Sequence, residues 1–132
     1  MRREAGFSIA KTLGITWGIL FLLGGILGFV PGITKAGMFL GIFMVNTAHS
    51  IVHAASGAIF LVTSIAGSRA ARLCFLIFGI VYAAVAVMGF RVGEGMIFGF
   101  ISNNRYDSWG HALLALVLLL IGFARPKQTA AD

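Results

Sequence analysis

A polar pattern occurs twice in this chain: Asn46, His49, Ser50 and His53 in the first half, and Asn104, Asp107, Ser108 and His111 in the second. His49 and His53 are four residues apart, as are Asp107 and His111, and on a helix that spacing puts two side chains on one face. Imidazole and carboxylate suit a divalent transition metal ion, and His-x-x-x-His lets one helix supply two ligands. Histidines on two facing helices could instead hold haem from both sides. Imidazoles also titrate near neutral pH and can relay protons or mark an ion path. The plainer alternative has His53 and His111 hydrogen-bonded across a helix interface, holding two halves of the protein in register. The residues put that reading first: a non-enzymatic structural or interaction component with a buried His/Asp/Asn cluster. Metal binding or proton and ion handling through His49, His53, Asp107 and His111 stays open beside it. No Ser-His-Asp order, phosphate loop or pair of catalytic carboxylates accompanies the cluster, so support for an enzyme is confined to it.

The elements that carry these residues are read from composition. Hydrophobic residues make up 59% of the chain and charged residues 11%, and the mean hydropathy is +0.99. A soluble domain has roughly a quarter charged residues, so this chain is an integral membrane protein in contact with the lipid bilayer. Its apolar residues fall in four blocks, about 12–30, 47–67, 70–90 and 106–124, each near the length of about 20 residues needed to cross hydrocarbon. The blocks are continuously apolar and lack the alternation of barrel strands. The expected fold is all-α: an integral membrane four-helix bundle forming a single domain over 1–132, with 126–132 a disordered tail.

A net charge of +6 invites a nucleic-acid reading, but the basic residues sit at helix ends instead of forming one soluble face. Arg2, Arg3, Lys11, Arg69, Arg72, Arg125 and Lys127 fall on one side of the four crossings, and Lys35, Arg91 and Arg105 on the other. By the Lys/Arg bias of short loops, both termini face the cytoplasm. The first apolar run is too long for the hydrophobic part of a signal peptide, and no small-x-small cleavage site follows it. It reads as an uncleaved anchor. Cys74 is the only cysteine, which excludes an internal disulfide.

The two polar patterns belong to a longer repeat. A shift of 58 superposes Gly37-Met38 on Gly95-Met96, Gly41 on Gly99, Asn46 on Asn104, Ser50 on Ser108 and His53-Ala54 on His111-Ala112. Upstream, a shift of 61 superposes Gly18 on Gly79 and Gly28-Phe29 on Gly89-Phe90. Each unit is helix, loop, helix, so the two hairpins form a parallel repeat about an axis along the membrane normal. Asn46 and Asn104 are the expected N-caps of the second and fourth helices, with Asp107 placed to reach back to its cap. The apolar loops 37–43 and 95–101 are expected to lie in the interface as short helices or tight hydrophobic turns. Gly14, Gly18, Gly24 and Gly28 give the first helix a small-residue face, for packing within the bundle or for a homo-oligomer or membrane protein partner. Trp109 and Tyr106 suit an aromatic belt, and the Tyr82 hydroxyl needs a partner within the bundle.

The strings Asn46-x-x-His49-x-x-x-His53-x-x-x-Gly57 and Asn104-x-x-Asp107-x-x-x-His111, each opening a membrane helix after an apolar glycine-containing loop, resemble a family of small bacterial four-helix membrane proteins catalogued as domain of unknown function 4383. Thr47 replaces the proline that often follows the first Asn there. The resemblance implies the four-helix topology and a bacterial inner (plasma) membrane location. It implies no activity.

Overall fold

A computed structural model describes residues 8–124. The disordered tail expected over 126–132, and four of the basic residues used for orientation (Arg2, Arg3, Arg125 and Lys127), lie outside the described residues. Four helices form the bundle: α1 (Ile9–Leu27), α2 (Thr47–Ala66), α3 (Ser68–Val92) and α4 (Arg105–Phe123). Each is long and apolar enough to cross a membrane. Helices meet the demand of hydrocarbon because every backbone N–H and C=O away from their ends is paired within the segment. α1 starts and stops about three residues earlier than the apolar block suggests. Turn bonds from Phe29 to Ile26 and from Val30 to Leu27 close its end, and Pro31, which has no N–H, cannot prolong the helix. A single residue, Gly67, separates α2 from α3.

The apolar loops are not helical. Residues Thr34–Lys35 (β1), Met38–Phe39 (β2) and Phe43–Met44 (β3) form an antiparallel meander, and Gly95–Ile97 (β4) pairs with Ile101–Asn103 (β5). Of the two expected forms, short interfacial helices and tight hydrophobic turns, the loops take the second, and the reason lies in the turns. Leu40-Gly41 and Phe98-Gly99 both take positive φ (53° and 71°, then 53° and 79°), the left-handed geometry that folds a chain back into a hairpin. Glycine supplies the second position of each at no steric cost.

The topology puts the strands at one end of the bundle and Gly67 at the other, with the described chain ends. α1 packs along α2, and α3 along α4; α3 also packs on α1 and α2, whereas α4 makes no comparable approach to either. The α1–α2 seam is tight. A Cβ at Gly25 would lie 2.5 Å from the Ala54 nitrogen, and one at Gly57 2.5 Å from the Leu22 nitrogen. Backbone approach of this kind is how membrane helices associate without a hydrophobic drive between them. Gly14, Gly18 and Gly28 pack on α2 along the same face, but a Cβ on Gly24 would meet nothing within 4 Å. The mid-bundle core is aromatic: Phe21 stacks on Phe60 with centroids 5.6 Å apart, and Phe75 meets Phe60 edge-on at 5.0 Å. Cys74 is buried in that core.

Candidate functional site

The site begins with the two helix starts beneath the strands. Asn46 Oδ1 accepts from the His49 N–H at 2.9 Å, and Asn104 Oδ1 accepts from the Asp107 N–H at 2.9 Å. Each thereby satisfies a first-turn donor that has no partner within its helix. On α4 the bond is returned: Asp107 Oδ2 accepts from the Asn104 N–H at 2.9 Å, completing a capping box. The same oxygen accepts the Met44 N–H at 3.0 Å.

The amide groups of the caps reach across to the opposite loop. Asn46 Nδ2 donates to the Phe100 carbonyl at 2.8 Å, and Asn104 Nδ2 donates to the Ile42 carbonyl at 2.8 Å. Positions 42 and 100 stand in the same 58-residue relation as 46 and 104, so the two halves clasp each other reciprocally. Ser102 adds a bond from its hydroxyl to the Met44 carbonyl at 3.2 Å.

Between the clasped helix starts, His49, His53 and His111 come together. Their ring centroids are 5.0 Å (His49 to His53), 5.6 Å (His49 to His111) and 6.0 Å (His53 to His111) apart. One ring nitrogen from each lies within 4.8 Å of the other two. His49 and His111 are buried and His53 is half-buried. His49 Nδ1 is 2.9 Å from the Ser102 carbonyl oxygen. A carbonyl only accepts, so Nδ1 carries a proton, and in the neutral ring Nε2 is the nitrogen with the free lone pair. His111 Nδ1 is buried with no hydrogen-bond partner among the described residues, so a buried polar atom there is left to be satisfied by a bound water or ion.

Asp107, the fourth residue with ligand chemistry, stands apart from this group. Its carboxylate is engaged by the backbone of Asn104 and Met44, although it lines the same cavity as the histidines. That cavity holds about 220 Å³ and is bounded by α1, α2, α4 and the strands, with Phe39 and Phe43 at the strand end. It is too small for a porphyrin. Below the histidines, Tyr82 lies with its ring 5.5 Å from His111 and 6.0 Å from His53. The Ser56 hydroxyl donates to the Val52 carbonyl at 2.8 Å, so Tyr82 donates its own proton to Ser56 Oγ at 3.2 Å. Deeper still, Phe60, Phe75 and Leu118 have no exposed surface and close the bundle.

The family model described as "Domain of unknown function (DUF4383)" matches residues 11–124. The chain belongs to this family. The match spans both caps, the three histidines and nearly all of the four helices. No curated protein and no solved structure matches the chain.

Two contributors were missed by sequence reasoning. Ser102 orients His49 through its backbone carbonyl, which no side-chain pattern can reveal. Asn103, fully buried, donates to the Gly89 and Gly93 carbonyls at 3.2 and 2.8 Å and so closes the end of α3. Its polarity beside Asn104 was visible in the sequence; its downward reach to α3 was not.

Proposed function

We propose that this multi-pass membrane protein binds a divalent transition metal ion through His49, His53 and His111. The observation that carries the proposal is the convergence of three imidazole nitrogens within 4.8 Å of one another. The centre of an equilateral triangle of that side is about 2.8 Å from each corner, and zinc–imidazole bonds are about 2.0–2.1 Å. Side-chain shifts of about 0.7–0.9 Å per ring would close the site. The bond from His49 Nδ1 to the Ser102 carbonyl supports the same reading, because ligating histidines characteristically donate their other ring N–H to a carbonyl or carboxylate. Three protein ligands leave a fourth position open toward the cavity, the arrangement of catalytic rather than structural zinc sites.

The structural reading has less to stand on. The clasp of Asn46, Asn104 and Asp107, with the His49 bond to Ser102, supports a structural role for that part of the cluster, but the His53–His111 hydrogen bond that reading also calls for is not formed among the described residues. A transmembrane proton relay meets the closed plug of Phe60, Phe75 and Leu118. We further propose a bacterial plasma-membrane location, both termini cytoplasmic, the site near the outer face, and an origin by duplication of one hairpin. The matched positions at a spacing of 58 and the Lys/Arg bias support these points.

The test is metal analysis of protein purified in mild detergent, stripped with a chelator and reloaded with Zn²⁺ or Co²⁺. About one ion per chain is expected, with Co²⁺ giving the visible absorption of a four-coordinate site. The His53→Ala, His111→Ala double variant should lose it. Lowering the pH should release the ion, because a protonated imidazole has no lone pair to donate. Substoichiometric binding in the wild type, or retention in the double variant, overturns the assignment.

A further inference from the structure

The cavity beside the histidines differs from the rest of the bundle in where it opens. The repeat relation pairs α1 with α3 and α2 with α4, so the counterpart of the α2–α3 contact is a contact between α4 and α1. Among the described residues the first is made closely and the second is slight at most. The cavity lies at that loose junction: α1, α2 and α4 line it, and α3 is not among its lining. Its α1 wall is Gly24, whose absent side chain leaves open space, and its α4 wall includes Gly110 and Leu114. Gly24, Gly110 and Leu114 are all partly exposed. In a membrane, a gap between two crossing helices faces acyl chains.

The lining also selects by charge. Phe39, Phe43, Val45 and Leu114 make it mainly apolar, and no Lys or Arg is among its residues. Its one carboxylate, on Asp107, accepts two backbone N–H groups through Oδ2, and a negative charge there repels an anion further. An anion would find no counter-charge, and a bare apolar molecule would leave the imidazoles unpaired. A cavity of about 150 Å³ holds a benzene, so the 220 Å³ here admits a somewhat larger body.

We propose that this cavity takes a small neutral molecule with an apolar body, on the order of ten non-hydrogen atoms, and one hydroxyl-type polar end, admitted from the lipid between α1 and α4. The polar end meets the histidines, either hydrogen-bonding to a ring nitrogen or taking the open position of a bound ion. The second alternative rests on the metal reading given above; the first does not.

The probe is 4-fluorophenol, followed by ¹⁹F NMR with the full chain in nanodiscs, once chelator-stripped and once loaded with Zn²⁺. Saturable binding is expected in both states, tighter with zinc. Gly24→Phe should fill the void and weaken binding by at least tenfold, while zinc stoichiometry stays unchanged as evidence that the fold and the histidines are intact. 4-Fluorobenzoate, with the same body and a negative charge, should not bind the stripped protein. Equal binding of the phenol by Gly24→Phe, or of the benzoate by the stripped wild type, overturns the proposal. Binding in the stripped state alone, with no zinc taken up, upholds the cavity and refutes the metal. Zinc uptake with no saturable phenol signal in either state does the reverse.

Discussion

The two hairpins share a framework and differ at one chemically decisive position. Position three of α2 is His49, and position three of α4 is Asp107. On α4 the carboxylate turns back, accepts the Asn104 and Met44 N–H groups, and becomes part of the scaffold. On α2 an imidazole stands there, leaves the cap without a returning bond, and points Nδ1 at the Ser102 carbonyl of the other hairpin. One copy therefore anchors the helix starts, and the other adds a third ring to the pair that both copies supply. Two equal copies would give either four anchored first-turn bonds and two rings, or four rings and a weaker clasp. The difference between the two positions lets one protein have a rigid frame and a three-nitrogen cluster together.

Breaking the anchoring side should have the largest consequence. Asp107→Ala strands two N–H groups at a buried position, and at about 1.5–3 kcal/mol per bond to a charged group the loss should be about 3 kcal/mol or more. Denaturant titration in detergent measures it; a loss below about 1 kcal/mol would mean that the clasp does not depend on the carboxylate. The reciprocal change, His49→Asp, gives α2 the residue of α4. It should leave stability within about 1 kcal/mol, since a capping carboxylate replaces the lost ring contacts. Metal affinity should instead fall by about a hundredfold or more, or about 2.8 kcal/mol, because two ring nitrogens remain of three. Parallel titrations of the two variants thus separate frame from site: one loses stability, the other affinity.

How much of this was legible in the residues differs between frame and site for the same physical reason. Helices and caps follow from local rules, namely apolar length and Asn before a helix: four helices form, with α1 about three residues earlier than its apolar block, and α2 starts behind Asn46 and α4 behind Asn104. The loop geometry was half legible. Gly41 and Gly99 announced turns, but apolarity alone does not distinguish an interfacial helix from a hairpin, and the positive φ of Leu40 and Phe98 is set by the turn and not by their own preference. The site was legible as a set of residue types only. That Asp107 would be absorbed by the backbone of Met44, 63 residues away, depends on a long-range contact that no spacing encodes. Gly24 shows the same limit: it looks like its neighbours in a small-residue stripe, yet Gly25 makes the close approach and Gly24 opens a void.

Asn103 offers a smaller contrast between the hairpins. Its counterpart at a distance of 58 is Val45, which lines the cavity. Asn103 instead donates to Gly89 and Gly93, and exchanges a bond with Ser108 Oγ at 3.0 Å. Asn103→Val, which makes the halves alike at this position, should cost about 2 kcal/mol through the unpaired Gly93 carbonyl, since the Gly89 carbonyl keeps the Gly93 N–H. Metal affinity should not change, and a matching fall in affinity would show that this side of the frame also positions the rings.

The caps themselves give the finest comparison. Both Asn side chains accept one first-turn N–H and donate to the opposite loop at 2.8 Å, and Asn46 Oδ1 takes a further long bond from the Ser102 N–H at 3.4 Å, so pairwise contacts alone predict at least as large a loss at 46 as at 104. Their surroundings do not. Asn104 is buried, at 4% exposure, and its backbone N–H is locked into the Asp107 capping box; Asn46 is only half-buried and has no returning bond. Water can replace the lost amide at position 46 and cannot easily do so at 104. Asn46→Ala should therefore cost about 1 kcal/mol, the usual value of an N-cap, and Asn104→Ala about 2 kcal/mol, at the upper end of that range. The double variant sharpens the test. If the two cap bonds form one clasp, the second truncation removes less than it does alone, and the sum of the single effects should exceed the double by about 0.5 kcal/mol or more. Strict additivity would mean that the hairpins are held at two independent points, and the reciprocal bonds would then be a consequence of symmetry and not a cooperative lock.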